Sequence, residues 1–199
     1  MKKIYLSFVI IVLVSSMAHA QSVSFGLRGG INIAKATVSG GSGSVSTDSE
    51  VGLQLGTYAT FMISDDFGLQ PELVYSQYGG SSTSNGTKST VTFGYLSIPL
   101  MARYNVSENF SLQAGPQLGV LLSATGKTGS GNSVDIKDGY NTVDFGGAVG
   151  FGVDFGSFNA GARYYFGLSN IAKDVPTGSD LTIKNSAFQL FVGYTLFKK

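Results

Sequence analysis

Residues 143–155 read VDFGGAVGFGVDF, and the same kind of side chain returns at every second position. Val143, Phe145, Val149, Phe151, Val153 and Phe155 fall on one side of an extended chain, and Asp144, Gly146, Ala148, Gly150, Gly152 and Asp154 on the other. A period of two belongs to a β-strand, not to a helix. The composition of the two faces then decides what lies on either side. A strand on the surface of a water-soluble barrel would carry Lys and Glu on its polar face. Here that face is small and hydrogen-bonding, which suits the narrow interior of a barrel filled by its own side chains. The bulky apolar face is left for lipid.

The same alternation recurs at 23–33, 51–63, 67–78, 91–106, 110–122, 158–170 and 187–197, giving eight segments in all. Each is long enough to cross a bilayer as a tilted strand of about 9–11 residues. The connections alternate in length. Ser64, Asp65 and Asp66, then Ser107, Glu108 and Asn109, then Gly156 and Ser157 make tight turns, whereas 34–50, 79–90, 123–142 and 171–186 are long, polar and rich in Gly, Ser and Thr. Linkers between domains have no reason to fall at every second strand end. The pattern predicts an all-β fold, an eight-stranded antiparallel up-and-down transmembrane β-barrel with short turns at one mouth and long loops at the other. Phe67, Tyr75, Tyr104, Phe110, Phe155, Phe158 and Phe197 fall where an interfacial aromatic girdle is expected. Pro71, Pro99 and Pro116 sit inside predicted strands, where each removes a ladder hydrogen bond; they mark bulges or shear points, or else the fourth segment is split.

Composition agrees and excludes other classes. The chain holds 28 glycines in 199 residues, about twice the usual ~7%, and only 13% charged residues. Lys2 and Lys3, the apolar run 4–14 and the small-residue site Ala18, His19, Ala20 predict a signal peptide at 1–20 and a barrel domain at 21–199. An eleven-residue apolar run is too short for a membrane-spanning helix. Without Lys2 and Lys3, the 13 basic residues become 11 against 12 acidic ones, so the remaining chain is near neutral and lacks the basic cluster that nucleic acid requires. There is no cysteine, and the single histidine, His19, lies in the predicted signal. Thiolate sites, cysteine nucleophiles and Ser-His-Asp chemistry are thereby removed, so no catalytic, cofactor or metal residue is expected and the protein reads as non-enzymatic. Asp135, Asp138, Asp174 and Asp180 lack an EF-hand spacing and read as solvated loop residues.

FGLRGGIN at 25–32, GLQPELVYS at 68–76, YLSIPLMARY at 95–104 and GPQLG at 115–119 together resemble the outer-membrane β-barrel domain of Bacteroidetes, the PorT-like family, itself similar to the small OmpA and OmpX barrels. The likeness spans essentially the whole chain after residue 20. It implies a multi-pass protein of a Gram-negative outer membrane, surrounded by lipid and lipopolysaccharide and inserted by the barrel-assembly machinery. It implies little about activity, because a fold does not supply a function.

Six charged residues occupy the predicted inner face: Arg28, Glu72, Arg103, Asp144, Asp154 and Arg163. Counted from the short-turn ends, Arg28, Glu72 and Arg163 lie five residues up their strands and Arg103 three. Buried charges must be paired, so an internal ion network is expected, with Glu72 facing at least one of the three arginines. The leading functional expectation is a monomer with a structural, adhesive or interaction role through its long loops, with an extracellular or envelope partner. A narrow pore for small solutes or ions, and a subunit of a secretion or envelope machine, are the alternatives.

Overall fold

The computed structural model describes residues 22–41, 43–175 and 180–199, so the predicted signal at 1–20 lies outside the described residues. The strands are β1 (Ser22–Gly40), β2 (Gly43–Ser46), β3 (Asp48–Met62), β4 (Phe67–Ser84), β5 (Thr87–Asn105), β6 (Phe110–Thr128), β7 (Val134–Asp135), β8 (Val143–Phe155), β9 (Phe158–Gly167) and β10 (Thr182–Lys198). Eight of them form a ring of antiparallel neighbours in the order β1-β3-β4-β5-β6-β8-β9-β10, which closes where β10 pairs with β1. Closure leaves no open sheet edge around the wall, as a bilayer demands. β2 and β7 are short additions on β1 and β6 at the long-loop mouth.

Several expected loops are strand instead. β1 continues to Gly40, β6 to Thr128, and β10 starts at Thr182, so the wall projects beyond the apolar band. The segment expected as a loop at 79–90 is a hairpin, paired from Gly79–Thr92 to Ser84–Thr87. Asn85 and Gly86 form its two-residue tip, both with positive φ (49° and 78°), the geometry of the turn that matches strand twist. Apolar alternation stops at the membrane boundary because lipid stops there; Ser and Thr keep pairing through their backbones regardless. Gly86→Ala should therefore cost about 1–2 kcal/mol in urea unfolding, since the added Cβ has free space but an unfavourable φ.

The three prolines do not split a strand. β4, β5 and β6 run through them, and pairing lapses locally instead, between Pro71–Leu100 and Val74–Ser97 and between Pro99–Gln117 and Ala102–Ala114.

Large apolar side chains cover the outside: Leu55, Leu73, Val149, Phe151 and Val192 are all exposed. Phe67, Tyr75, Tyr104, Phe155, Phe158 and Phe197 are exposed aromatics on that exterior, while Phe110 is half-buried against the Phe151 ring. The interior holds Gln, Asn, Ser, Arg and Tyr. This is the reverse of a water-soluble protein and fixes which medium lies on each side.

Candidate functional site, the filled lumen

The inward-facing side chains form three levels. At mid-height Glu72 on β4 is buried and receives two guanidiniums. Arg28 on β1 donates to its Oε2, while Arg163 on β9 donates to Oε2 at 2.9 Å and to Oε1 at 2.7 Å. Gln70 also donates to Oε1, at 2.6 Å. Two cations on one anion leave a positive surplus, and neutral groups absorb it. Gln113 Oε1 accepts from Arg163 Nε at 2.9 Å, Gln54 Oε1 accepts from Arg28 at 3.2 Å, and the Phe191 ring lies 3.9 Å and 4.8 Å from the two guanidinium carbons. An amide oxygen or a ring face stabilises a guanidinium without adding a charge that itself needs a partner. The gap beside this cluster admits no water-sized sphere.

Above it, toward the long-loop mouth, the lumen is aromatic. Tyr78 stacks on Tyr165 with centroids 5.4 Å apart, and Tyr95 and Phe93 continue the cluster to Tyr140. Ala34, Ala124 and Ala187 make room for the rings, and Ile171 and Ile136 fold in from the loops to close the top. Tyr78 accepts from Gln117 at 2.8 Å and Gln189 at 3.1 Å, tying the aromatic level to the polar one. Asp144 is buried here among neutral partners, the Ser169 hydroxyl at 2.8 Å and the Asn185 amide at 3.0 Å.

Below it, at the short-turn mouth, Arg103 is paired with Asp154 and donates through Nε to Asn105 at 3.1 Å. The pair stands in an open vestibule of about 430 Å³ floored by Tyr58, whose hydroxyl meets Asn159 at 2.6 Å and Thr195 at 2.8 Å.

The six inner charges are thus three separate arrangements rather than one network. Arg28, Glu72 and Arg163 meet at mid-height, Arg103 meets Asp154 and not Glu72, and Asp144 has no cationic partner among the described residues. Arg28, Glu72 and Arg163 stand five residues above the short-turn ends and meet at one height, whereas Arg103, only three residues up, lies nearer the short-turn mouth and within reach of Asp154. The aromatic level is not among the expected inner residues, and its signal in the sequence is parity: Tyr78 shares a face with Ser76, Tyr95 with Ser97, and Tyr165 with Arg163. Among the described residues no cluster of His, Asp or Glu could hold a metal.

A family model described as outer membrane protein beta-barrel domain matches residues 19–173, more than three quarters of the chain. The chain belongs to this family. Its closed, apolar-coated ring is therefore an outer-membrane barrel, in contact with lipid and lipopolysaccharide, whose short turns face the periplasm and whose long hairpins face outward. The chain is similar to solved barrels at low identity. Neisserial surface protein A is 15% identical, with 87% of this chain and 99% of that chain covered and a TM-score of 0.49. Ail, the attachment invasion locus protein of Yersinia pestis, is 17% identical, with 87% and 98% covered and a TM-score of 0.48. Outer membrane protein W of E. coli is 18% identical, with 87% and 97% covered and a TM-score of 0.40. No curated protein matches the chain.

Proposed function

We propose that this outer-membrane barrel is a closed, non-enzymatic monomer with a structural, adhesive or interaction role at the cell surface, carried by the hairpins that extend its wall. The observation that carries the reading is the Arg28–Glu72–Arg163 cluster with its glutamine shell, which fills the lumen at mid-height. The aromatic level above supports it, because an ion would have to displace stacked tyrosines as well as a paired carboxylate. What remains accessible on the outside is hydroxyl-rich strand: β2 and the β4–β5 hairpin tip, suited to contact with an extracellular or envelope partner. The absence of cysteine, and of histidine beyond residue 19, supports a non-catalytic role. Within the family we place the chain in the PorT-like group of Bacteroidetes, on the motifs at 25–32, 68–76, 95–104 and 115–119. Insertion by the barrel-assembly machinery is part of this reading, and membership of the outer-membrane barrel family supports it.

Planar-bilayer recording tests the proposal. The expected trace is flat, with no stable open level across ±100 mV. A steady ohmic conductance, raised when Glu72 is replaced, would overturn the closed-lumen reading in favour of a narrow pore.

A further inference from the structure

Lipid contact around the wall need not be uniform. On the outward face of β1, Val23, Phe25, Leu27, Gly29, Ile31 and Ile33 are apolar or glycine, and the next outward position is Lys35. From Val23 to Ile33 are ten steps, about 33 Å along the strand and about 25 Å along the membrane normal for a tilt near 40°, which is the height of a barrel's apolar band. Lys35 stands directly above that band.

The neighbouring strand repeats the transition. On β10 the outward series falls from Leu190 and Phe188 to Ser186 and Lys184, with Ile31 opposite Leu190, Ile33 opposite Phe188, Lys35 opposite Ser186 and Thr37 opposite Lys184. The two lysines are thus diagonal neighbours on one face, within reach of a single ligand group. Lys184 is exposed and Lys35 half-buried. Neither has an ion-pair partner among the described residues, whereas Lys88 is paired with Glu50 at 2.5 Å and Lys137 donates to the Leu122 carbonyl at 2.9 Å. Asp48 and Glu50 alternate with the outward positions Ser49 and Val51 of β3, and Asp180 lies beyond the start of β10. The rest of the patch is hydroxyl: Thr37, bonded to Ser46 at 3.1 Å, and Ser186. Two adjacent ammonium groups without a counter-ion repel each other unless an anion bridges them.

We infer that Lys35 and Lys184, with the hydroxyls of Thr37 and Ser186, form a binding site for a phosphate of the phosphorylated glycolipid of the outer leaflet. The acyl chains would lie against Ile33, Phe188 and Tyr164 below, and the sugar hydroxyls against the serines and threonines. Charge complementarity selects the phosphate, and the position at the upper edge of the apolar band selects a lipid-borne one.

Native mass spectrometry of the folded barrel released from zwitterionic micelles measures this directly. The probes are bis-phosphorylated lipid A, its dephosphorylated form, phosphatidylglycerol and inorganic phosphate. The wild type should retain bis-phosphorylated lipid A preferentially. Lys35→Gln with Lys184→Gln should weaken it roughly ten- to thirtyfold, at about one membrane-surface charge per lysine. Lys35→Arg with Lys184→Arg should keep it, and Lys127→Gln with Lys173→Gln, which removes as much charge elsewhere, should leave it unchanged. Unheated gel mobility checks folding; should the glutamine pair not fold, Lys184→Gln alone, at an exposed position, should still give a several-fold loss. Undiminished binding by the folded glutamine variant would overturn the site, as would equal retention of dephosphorylated lipid A. Equal retention of phosphatidylglycerol, or displacement by millimolar phosphate, would overturn the glycolipid as its occupant.

Discussion

Replacing Glu72 with Gln should destabilise the folded barrel by roughly 3–5 kcal/mol in urea unfolding from lipid vesicles, the usual loss when a buried pair loses one partner. Arg28, Glu72 and Arg163 are 3%, 4% and 2% exposed, so water does not compensate. The carboxylate accepts from both guanidiniums and from Gln70, and a neutral amide in its place would direct an N–H₂ group at one of them. The order within the cluster is also fixed by its stoichiometry. Arg28→Gln should cost least, because it leaves a one-to-one Glu72–Arg163 pair with both carboxylate oxygens still engaged. Arg163→Gln should cost more, because it removes two contacts to Glu72 and two to the Gln113 carbonyl oxygen, whereas Arg28→Gln removes one to Glu72 and one to Gln54. Glu108→Gln, in an exposed turn, should be indistinguishable from the parent. If Glu72→Gln behaves like Glu108→Gln, the mid-height lumen is wet and the closed-lumen reading fails with it.

The ring, its strand number and its inside-out polarity were legible because they are set by solvent, and solvent writes a period of two. β8 coincides with the segment read at 143–155, since both of its ends meet polar turns or loops. The upper ends of β1, β4, β5, β6 and β10 were not legible in the same way. Above the lipid boundary hydropathy no longer alternates, while backbone pairing, which leaves no mark on composition, continues. Only Asn85-Gly86 carried a direct signal there, as a two-residue hairpin tip.

The same distinction explains the interior. Alternation assigned Arg28, Glu72 and Arg163 to the inner face, and their equal distance from the short turns puts them at one height, where their side chains are buried together. Arg103, opposite Gly68 on β4 and Gln113 on β6, looks down into the vestibule to Asp154 instead. The loop residues Ile136 and Ile171 that close the aromatic level have no period at all, so their inward packing is a tertiary fact without a local signature.

Val149→Arg should cost about 2–4 kcal/mol in the same vesicle assay, and the size of the loss should depend on depth rather than on the residue replaced. Val149 is the central residue of β8, six positions from either end of Val143–Phe155, and lies on the lipid side between Ala114 of β6 and Tyr164 of β9. Six steps of a tilted strand are about 15 Å along the normal, too far for a guanidinium to snorkel fully to either headgroup layer. Phe151→Arg, two positions away, should behave similarly, whereas Val143→Arg, at the strand's upper end, should cost only ~0–1 kcal/mol. Gly150 faces the other way, and its failure has a different cause. A Cβ there would collide with the Ala162 carbonyl and the Arg163 backbone, so even Gly150→Ala should be poorly tolerated, while Val149→Ala removes only lipid contact. A depth-independent cost for Val149, Phe151 and Val143, or a harmless Gly150→Ala, would mean that β8 is shifted by one residue. Such a slip would turn Phe151 into the lumen and Asp144 into lipid, and because β8 is bonded to both β6 and β9 it would break the inward parity of Gln113 and Arg163 as well.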